Sequence, residues 1–463
     1  MILFASCAVG PDYRRPNANP PGTYRGSTNV LTNSFGDLPW WEVFHDETLQ
    51  GLIRTVLTNG YDLRLAVSRV EQARAILMQN RAAFFPQISY VGLLGRGKNA
   101  IGGTLFPNGG NTVTDVETAG NVSWEIDVWG RIRRLNESAR AQYLATVEAR
   151  HDVMTSVISE VAQAYFQLLA LDRELEIARY TTNSFGESLR IFSQRLQGGV
   201  ASKLETSSAE AALASAAATV PDLERLIAIQ ENFISVLIGR DPGPIPREHT
   251  LLQELLPPEI PAGLPSALLE RRPDIREAEQ LYRSANAQIG VAVANFFPQI
   301  SLTGAYGKVS PTLSAFTAGA ATAWSAAASV TGPIFQGGRL VGQYRQAVAL
   351  REQYWLSYEQ TVLTALQEVS NALIANSAYA EERLQQARSV AAYEVAVQVA
   401  TQRYLVGQSS YYEVLQEQQL LFPAENTLVQ IQLNQLQTIV QLYRALGGGW
   451  RVDQSNPATT KNP

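Results

Sequence analysis

The chain has 463 residues, of which 46% are apolar and 17% are charged, and its formal net charge is −5. This aliphatic content excludes a mainly disordered chain. The mild acidity argues against a nucleic-acid partner, whose phosphates require a basic surface. A single cysteine cannot form an internal disulfide, and the three histidines are too far apart in the sequence to indicate a zinc site: His45, His151 and His249.

The chain starts with a short apolar segment. Met1–Ser6 ends in small residues before Cys7 and is similar to the end of a bacterial lipoprotein signal, in which the cysteine becomes lipidated. The basic start and most of the apolar core of such a signal are missing. We expect Cys7 to carry a lipid that holds the chain at a membrane surface. A free cysteine after a truncated start is the alternative.

The next elements are a helix and two strands. A helical pattern runs from about Glu47 to Phe84, and Pro86 ends it because proline disfavours helix at the preceding residue. A strand is predicted to about Leu94, followed by a Gly- and Asn-rich loop over 95–115. The second strand is longer than usual and suits a membrane-spanning strand, although a soluble sandwich is the alternative. Its apolar face carries every second residue: Val116, Thr118, Gly120, Val122, Trp124, Ile126 and Val128.

Two long helices are predicted after these strands. Residues 131–196 contain no proline and only one glycine, so they predict a helix of roughly 100 Å. Its apolar residues repeat every seven positions, as in a coiled-coil seam: Val147, Met154, Val161, Leu168 and Leu175. The turn at Gly198-Gly199 predicts an antiparallel partner helix over about 203–238, which is rich in Ala and Ser.

The chain repeats itself. The six residues of Phe84–Ser89 recur as Phe296–Ser301, and Gly199 of the first turn has its counterpart in Gly407. The order of predicted elements is also the same in both halves, with long helices again over about 339–405 and 411–446. The period is far too long for a solenoid unit and predicts two tandem copies of one structural half.

Four strands are too few to close a pore. No window of about 20 residues is apolar enough to predict a membrane-spanning helix, so insertion into a membrane would depend on the strands. An open sheet edge in hydrocarbon leaves backbone groups unpaired, and bacterial barrels have at least about eight strands. We therefore expect several chains to contribute to one barrel. Three chains would give about 12 strands and an aqueous lumen, while two or four remain physically possible.

Several short motifs identify the chain as similar to the TolC-like outer-membrane channels of tripartite efflux systems, in particular their lipidated OprM-like branch. The resemblance covers nearly the whole chain, and the motifs are specific only in combination. They are Gly10-Pro11-Asp12-Tyr13, Pro39-Trp40-Trp41, Trp124-Glu125-Ile126-Asp127, Gly130-Arg131, Gly263-Leu264-Pro265-Ser266, Arg271-Arg272-Pro273-Asp274-Ile275 and Ala445-Leu446-Gly447-Gly448-Gly449-Trp450.

This resemblance implies an α+β fold. Long antiparallel helical hairpins would form a periplasmic α-barrel, and four strands would join a trimeric 12-stranded transmembrane β-barrel. It implies a lipid-anchored homotrimer in the bacterial outer membrane, whose partners are a periplasmic adaptor and an inner-membrane RND-type pump. The expected domains are 1–7 signal remnant, 8–46 equatorial segment, 47–239 first repeat, 240–263 linker, 264–450 second repeat and 451–463 tail.

The resemblance also implies a periplasmic gate just after the glycine turn of the second half. An OprM-like channel has Leu and, four residues on, Asp at the ring, where this chain has Tyr412 and Gln416. The acidic ring is therefore absent at its expected place. An acidic collar is expected from Glu413, Glu417 and Glu205 instead, while bulky Tyr412 is expected to close the tip by packing. The alternative is that all five are ordinary surface residues.

The predicted function is passive conduction of drugs or other small molecules from a periplasmic pump to the exterior. The alternatives are a duct for type I protein secretion, a soluble coiled-coil scaffold and an outer-membrane enzyme. The sequence contains no HExxH or GxSxG motif, and the glycine-rich Gly92–Asn99 lacks the Ser or Thr of a phosphate-binding loop. We therefore expect no enzyme activity, cofactor or metal.

Overall fold

The computed structural model describes the chain in eight stretches, which are residues 8–16, 18–27, 34–98, 100–101, 104–105, 112–254, 261–317 and 321–450. Within them the fold is α+β, with long helices and one main sheet, as predicted. Cys7 and the tail 451–463 lie outside the described residues.

The first half of the chain ends in two long helices. Its helices are α1 (Trp40–Val43), α2 (Glu47–Asn59), α3 (Tyr61–Ala82), α4 (Arg131–Gln197) and α5 (Lys203–Leu237). Its strands are β1 (Gln87–Lys98), β2 (Ala100–Ile101), β3 (Thr104–Leu105) and β4 (Thr112–Ile126). The described residues of the whole chain also form short 3-10 turns at Phe35–Asp37, Leu251–Gln253 and Pro265–Ala267.

The second half has the same order of long elements. They are α6 (Leu268–Arg271), α7 (Pro273–Ala294), β5 (Gln299–Ser310), β6 (Thr322–Thr331), α8 (Arg339–Leu405) and α9 (Tyr411–Ala445). Four pairs of corresponding elements have equal lengths: 22 residues in α3 and α7, 12 in β1 and β5, 67 in α4 and α8, and 35 in α5 and α9. The corresponding strands β4 and β6 differ, with 15 and 10 residues.

The main sheet has the strand order β1-β4-β5-β6, and all neighbours are antiparallel, while β2 pairs with β3. Its register places Tyr90 opposite Gly120, Gly120 opposite Tyr306, and Tyr306 opposite Trp324. Directly paired residues lie on one face of a sheet, so these aromatic side chains form a single row. Within the described residues, β1 and β6 have a neighbour on one side only, which leaves two open edges.

Two predicted elements differ from the observed ones. The expected continuous helix over 47–84 is interrupted at Gly60, whose ψ of 131° is not helical. A side chain at Gly60 would place its Cβ 2.5 Å from the carbonyl oxygen of Val56, so the glycine permits the break. The expected loop over 95–115 is shorter, because the ladder between β1 and β4 continues to Lys98 and Thr112.

The middle of α4 is more enclosed than a coiled-coil seam. Val161 and Leu168 of the predicted seam are fully buried. Ile158, Tyr165 and Phe166 lie on other sides of the helix and are buried as well. A heptad pattern predicts one buried stripe, whereas this part of α4 has apolar contacts nearly all round.

The chain divides into two compact units. One consists of Met1–Asn17, Arg69–Val147 and Glu277–Glu359 and contains the main sheet; the other consists of Ala18–Ser68, Glu148–Arg276 and Gln360–Pro463 and contains both turns between long helices. Across the described stretches, none of the helices is long and apolar enough to span a membrane.

Candidate functional site

The two turns between long helices are built in the same way. At the end of α4, Val200 N donates to Arg195 O (2.9 Å) and Gly199 N donates to Leu196 O (3.0 Å). At the end of α8 the same two bonds run from Gln408 to Arg403 (2.9 Å) and from Gly407 to Tyr404 (3.0 Å). This is the Schellman arrangement, which requires a left-handed residue, and Gly199 and Gly407 have φ of 74° and 76°.

Three aromatic rings cross-link the two hairpins near these turns. Phe192 of α4, Tyr404 of α8 and Tyr411 of α9 are all buried. Their ring centroids are separated by 5.6 Å (Phe192–Tyr404), 3.7 Å (Phe192–Tyr411) and 5.9 Å (Tyr404–Tyr411). Burial raises the pKa of the Tyr411 phenol above its ordinary value. We call these residues the aromatic triad; their packing holds the first hairpin against the second.

Two arginines from matching positions of the repeat add polar contacts beside the triad. The Arg195 guanidinium lies 4.5 Å from the ring centroid of Tyr404. Arg403 forms an ion pair with Glu413, with an N···O distance of 3.3 Å. A cation over an aromatic ring contributes about 0.5–1 kcal/mol at exposed sites. Separation of the hairpins would therefore disrupt the contact of Arg195 with Tyr404 as well as the apolar triad, whereas the Arg403–Glu413 pair lies within the second hairpin.

The predicted gate residues Tyr412 and Gln416 lie on α9, one helical turn apart. Tyr412 is 71% exposed, whereas its neighbour Tyr411 is only 2% exposed. Gln416 is also exposed, and residues four apart share a face of a helix. The two side chains therefore form a stripe directed away from the buried packing of their own chain.

The three glutamates of the predicted acidic collar have different surroundings. Glu205 belongs to a capping box of α5, where its carboxylate accepts from Ser202 N (2.6 Å) and its own N donates to Ser202 Oγ (3.3 Å). Glu413 is the partner of Arg403, and Glu417 is half-buried on α9. The structure thus gives Glu205 and Glu413 contacts within their own chain.

Sequence reasoning missed the aromatic triad and the apolar turn residue Leu204. Gly199 and Gly407 are equivalent in the repeat, and the same offset relates Leu204 to Tyr412. Both are highly exposed, so each hairpin presents a large apolar side chain at the same place. The offset could have identified Leu204, but no sequence signal shows that rings from three different helices meet.

The sheet exposes a second apolar surface. Tyr90, Tyr306 and Trp324 of the aromatic row are largely exposed, as are Ile88 and Val330 of the same face. Large exposed apolar surfaces are rare on monomeric soluble proteins and mark contact with lipid or protein. Aromatic rows are typical of the interface girdles of outer-membrane strands.

The two acidic residues at the end of β4 form hydrogen bonds with the start of α4. Glu125 accepts from Arg131 Nε (2.9 Å), and Asp127 accepts from the backbone N of Ile132 (3.1 Å) and Arg133 (2.9 Å). Asp127 therefore satisfies free N–H groups at the start of α4. These structural contacts are sufficient to explain the two carboxylates of the Trp124–Asp127 motif, so a role in acid–base chemistry is not needed to explain them.

The chain is similar to known efflux channels in sequence and in structure. The family model "Outer membrane efflux protein" matches residues 52–240 and 264–448. The toluene efflux pump outer membrane protein TtgC of Pseudomonas putida is 34% identical over 455 residues, which cover 97% of this chain and 94% of TtgC. The cation efflux system protein CusC of Escherichia coli is 32% identical over 454 residues, 97% of each chain.

Two solved structures share the fold. The outer-membrane channel OprN is 31% identical, with a TM-score of 0.88 over 96% of this chain and 100% of that one. The open state of the Neisseria gonorrhoeae outer-membrane channel MtrE is 30% identical, with a TM-score of 0.86 over 96% of this chain and 99% of that one. The chain therefore belongs to the outer membrane efflux protein family and is an outer-membrane efflux channel component with the TolC-like fold.

Proposed function

We propose that three copies of this chain form one continuous export duct, with 12 strands in the outer membrane and a helical tube in the periplasm. The observation that carries this proposal is the four-stranded sheet, which has two open edges and an exposed apolar face. Unpaired edge groups cost several kcal/mol each in hydrocarbon, so β1 of one chain is expected to pair with β6 of the next. A closed ring of identical chains satisfies all such edges.

We further propose that the duct conducts small molecules passively, in complex with a periplasmic adaptor and an inner-membrane RND-type pump. The relatives TtgC and CusC are named for toluene efflux and cation efflux, so one channel architecture accompanies very different cargoes. This supports selection of the cargo by the pump. Cys7 is the proposed lipid attachment site, because a small-residue segment precedes it in the sequence.

We expect the detergent-solubilised chain to have a mass of about 152 kDa after subtraction of detergent, three times its 50.7 kDa. Native mass spectrometry or light scattering with refractive-index detection would measure it. The same sample should give discrete conductance steps in a planar bilayer. A monodisperse monomer without conductance would contradict the proposed duct.

The proposed periplasmic gate is a ring formed by Tyr412 and Gln416 from three chains. Replacing both with alanine should raise the single-channel conductance several-fold, because a ring of bulky side chains restricts water and ions. Recordings in planar bilayers at fixed salt would measure the effect. Tyr180→Ala is the matched control, because Tyr180 is a similarly exposed tyrosine of α4. Equal conductance of the double variant and the wild-type channel would contradict the gate.

A further inference from the structure

A buried carboxylate lies at the N-terminus of α2. Asp46 caps this helix, since its Oδ1 accepts from Leu49 N (2.8 Å), and its Oδ2 accepts from the hydroxyl of Tyr165 (2.8 Å). Both carboxylate oxygens thus have fixed directions, and the side chain is fully enclosed. The Asp46 carboxylate is therefore held rigidly, and its oxygens are available as metal ligands.

Two further side chains from the segment after α5 point at this carboxylate. His249 Nδ1 lies 3.5 Å from Asp46 Oδ2 and 4.0 Å from Glu254 Oε1. One potential ligand atom from each of the three residues falls within 4.8 Å of the others. A segment distant in sequence from Asp46 therefore completes a compact group of two carboxylates and one imidazole.

Glu254 is the unusual member of this group. Its side chain is only 8% exposed, yet Oε1 has no hydrogen-bond partner among the described residues. An unpartnered buried carboxylate oxygen costs free energy, and a second carboxylate beside it adds like-charge repulsion. A cation bound between the two carboxylates would offset this repulsion and give the Glu254 oxygen a partner.

We propose that Asp46, His249 and Glu254 bind one divalent cation of the Zn²⁺ class. Zn²⁺ takes imidazole nitrogen and carboxylate oxygen at about 2.0–2.2 Å, and tetrahedral ligand atoms at that distance lie about 3.4 Å apart. The 3.5 Å separation of His249 Nδ1 and Asp46 Oδ2 already matches this geometry. The 4.0 Å separation to Glu254 requires a shift of about 0.6 Å to reach the same value.

The mixed ligand set argues for a transition cation over Ca²⁺ or Mg²⁺. The latter prefer oxygen ligands alone, whereas imidazole suits Zn²⁺ and its neighbours. His249 is 43% exposed and provides the route by which the ion enters from solvent, as well as room for a water ligand. The bound ion would connect the segment 249–254 to the start of α2 and, through Tyr165, to α4. The spacing of the histidines in the sequence gave no indication of this site.

Isothermal titration with Zn²⁺ tests the proposal on the full chain in detergent, after chelator treatment and dialysis. We expect one ion per chain. His249→Ala should weaken binding by more than about tenfold, because loss of an outer-shell partner alone costs about 10–100-fold. His151→Ala is the matched control, since the His151 side chain contacts Glu148, Arg150 and Trp450, which are not members of the proposed site, and should leave binding unchanged.

Glu254→Gln keeps the shape of the side chain and removes its charge, so it separates loss of a ligand from loss of folding. We expect this variant to keep the wild-type circular dichroism spectrum while binding of Zn²⁺ weakens at least tenfold. Absence of Zn²⁺ binding by the wild-type chain would overturn the proposal. Binding that is unaffected by both His249→Ala and Glu254→Gln would overturn it as well.

Discussion

Replacement of Arg272 with methionine should destabilise the chain by about 2 kcal/mol, because it removes a buried guanidinium that binds two partly exposed carboxylates and a backbone carbonyl. The Arg272 side chain is only 10% exposed and binds two carboxylates, Asp274 (N···O 2.6 Å) and Glu368 (N···O 2.6 Å). It also donates to the backbone carbonyl of Ala445 (3.2 Å). One guanidinium thus connects the start of α7, the middle of α8 and the end of α9.

The electrostatics of Arg272 explain the size of this effect. Burial alone would lower its pKa, but the hydrogen bonds and charges of Asp274 and Glu368 outweigh burial and raise the pKa above its ordinary value. The side chain therefore stays charged. Without it, Asp274 and Glu368 would repel each other next to a carbonyl oxygen that has lost its donor.

Urea unfolding in detergent, followed by circular dichroism, would measure the loss. Arg225→Ala is the control, because Arg225 also forms an ion pair of 2.6 Å, with Asp222, but both side chains are 58–59% exposed. Exposed pairs contribute about 0–1 kcal/mol, so this variant should change little. Arg272→Lys should fall between the two, since lysine keeps the charge but lacks the planar fork. Equal midpoints for Arg272→Met and Arg225→Ala would refute the role of the network.

The order and type of the long elements were predictable because their signals are local. Period-two alternation marked β4, and the absence of proline with a single glycine in each helix marked α4 and α8, whose observed ends lie within one residue of the predicted ones. A sequence also shows a repeat directly. Each of these signals acts between residues that are close in the chain.

Contacts between distant segments could not be predicted in the same way. The Gly10-Pro11-Asp12-Tyr13 motif is an example: Arg134 of α4 donates to Gly10 O (3.3 Å) and Asp12 Oδ1 (2.9 Å). Gly10 has a φ of 96°, and a Cβ there would lie 2.4 Å from the Cα of Gly290 in α7. The motif was recognisable in the sequence, but its role depends on how α4 and α7 meet this N-terminal segment.

The candidate site shows the same limit. Tyr412 and Gln416 could be named from the glycine turn, whereas the aromatic triad brings Phe192 together with Tyr404 and Tyr411, which lie 212 and 219 positions further along the chain. Tyr411 and Tyr412 are adjacent in sequence, and only packing decides that one is buried and the other exposed. The gate itself stays a prediction, because it requires the same residues of neighbouring chains.

Gly307 of β5 should be unable to accept a side chain without a shift of the neighbouring strand. A Cβ at this position would lie 2.1 Å from the carbonyl oxygen of Thr118 and 2.5 Å from the Cα of Ala119, both in β4. These are backbone atoms, so no rotamer change can relieve the contact. Gly307→Ala would force β4 and β5 apart at the point where Gly307 pairs with Ala119. Overpacking of this kind costs about 1–3 kcal/mol.

Because the proposed barrel needs every strand pair, we expect Gly307→Ala to reduce the assembled chain in the outer membrane several-fold. Membrane fractionation and native electrophoresis would measure the assembled fraction. Gly304→Ala is the matched control in the same strand, since its Cβ would lie at an ordinary 3.7 Å from the nearest atom, Ser325 O. If the two alanine variants assemble equally well, β4 and β5 do not need the close approach that Gly307 allows. A loss confined to Gly307→Ala would show that assembly depends on this strand contact.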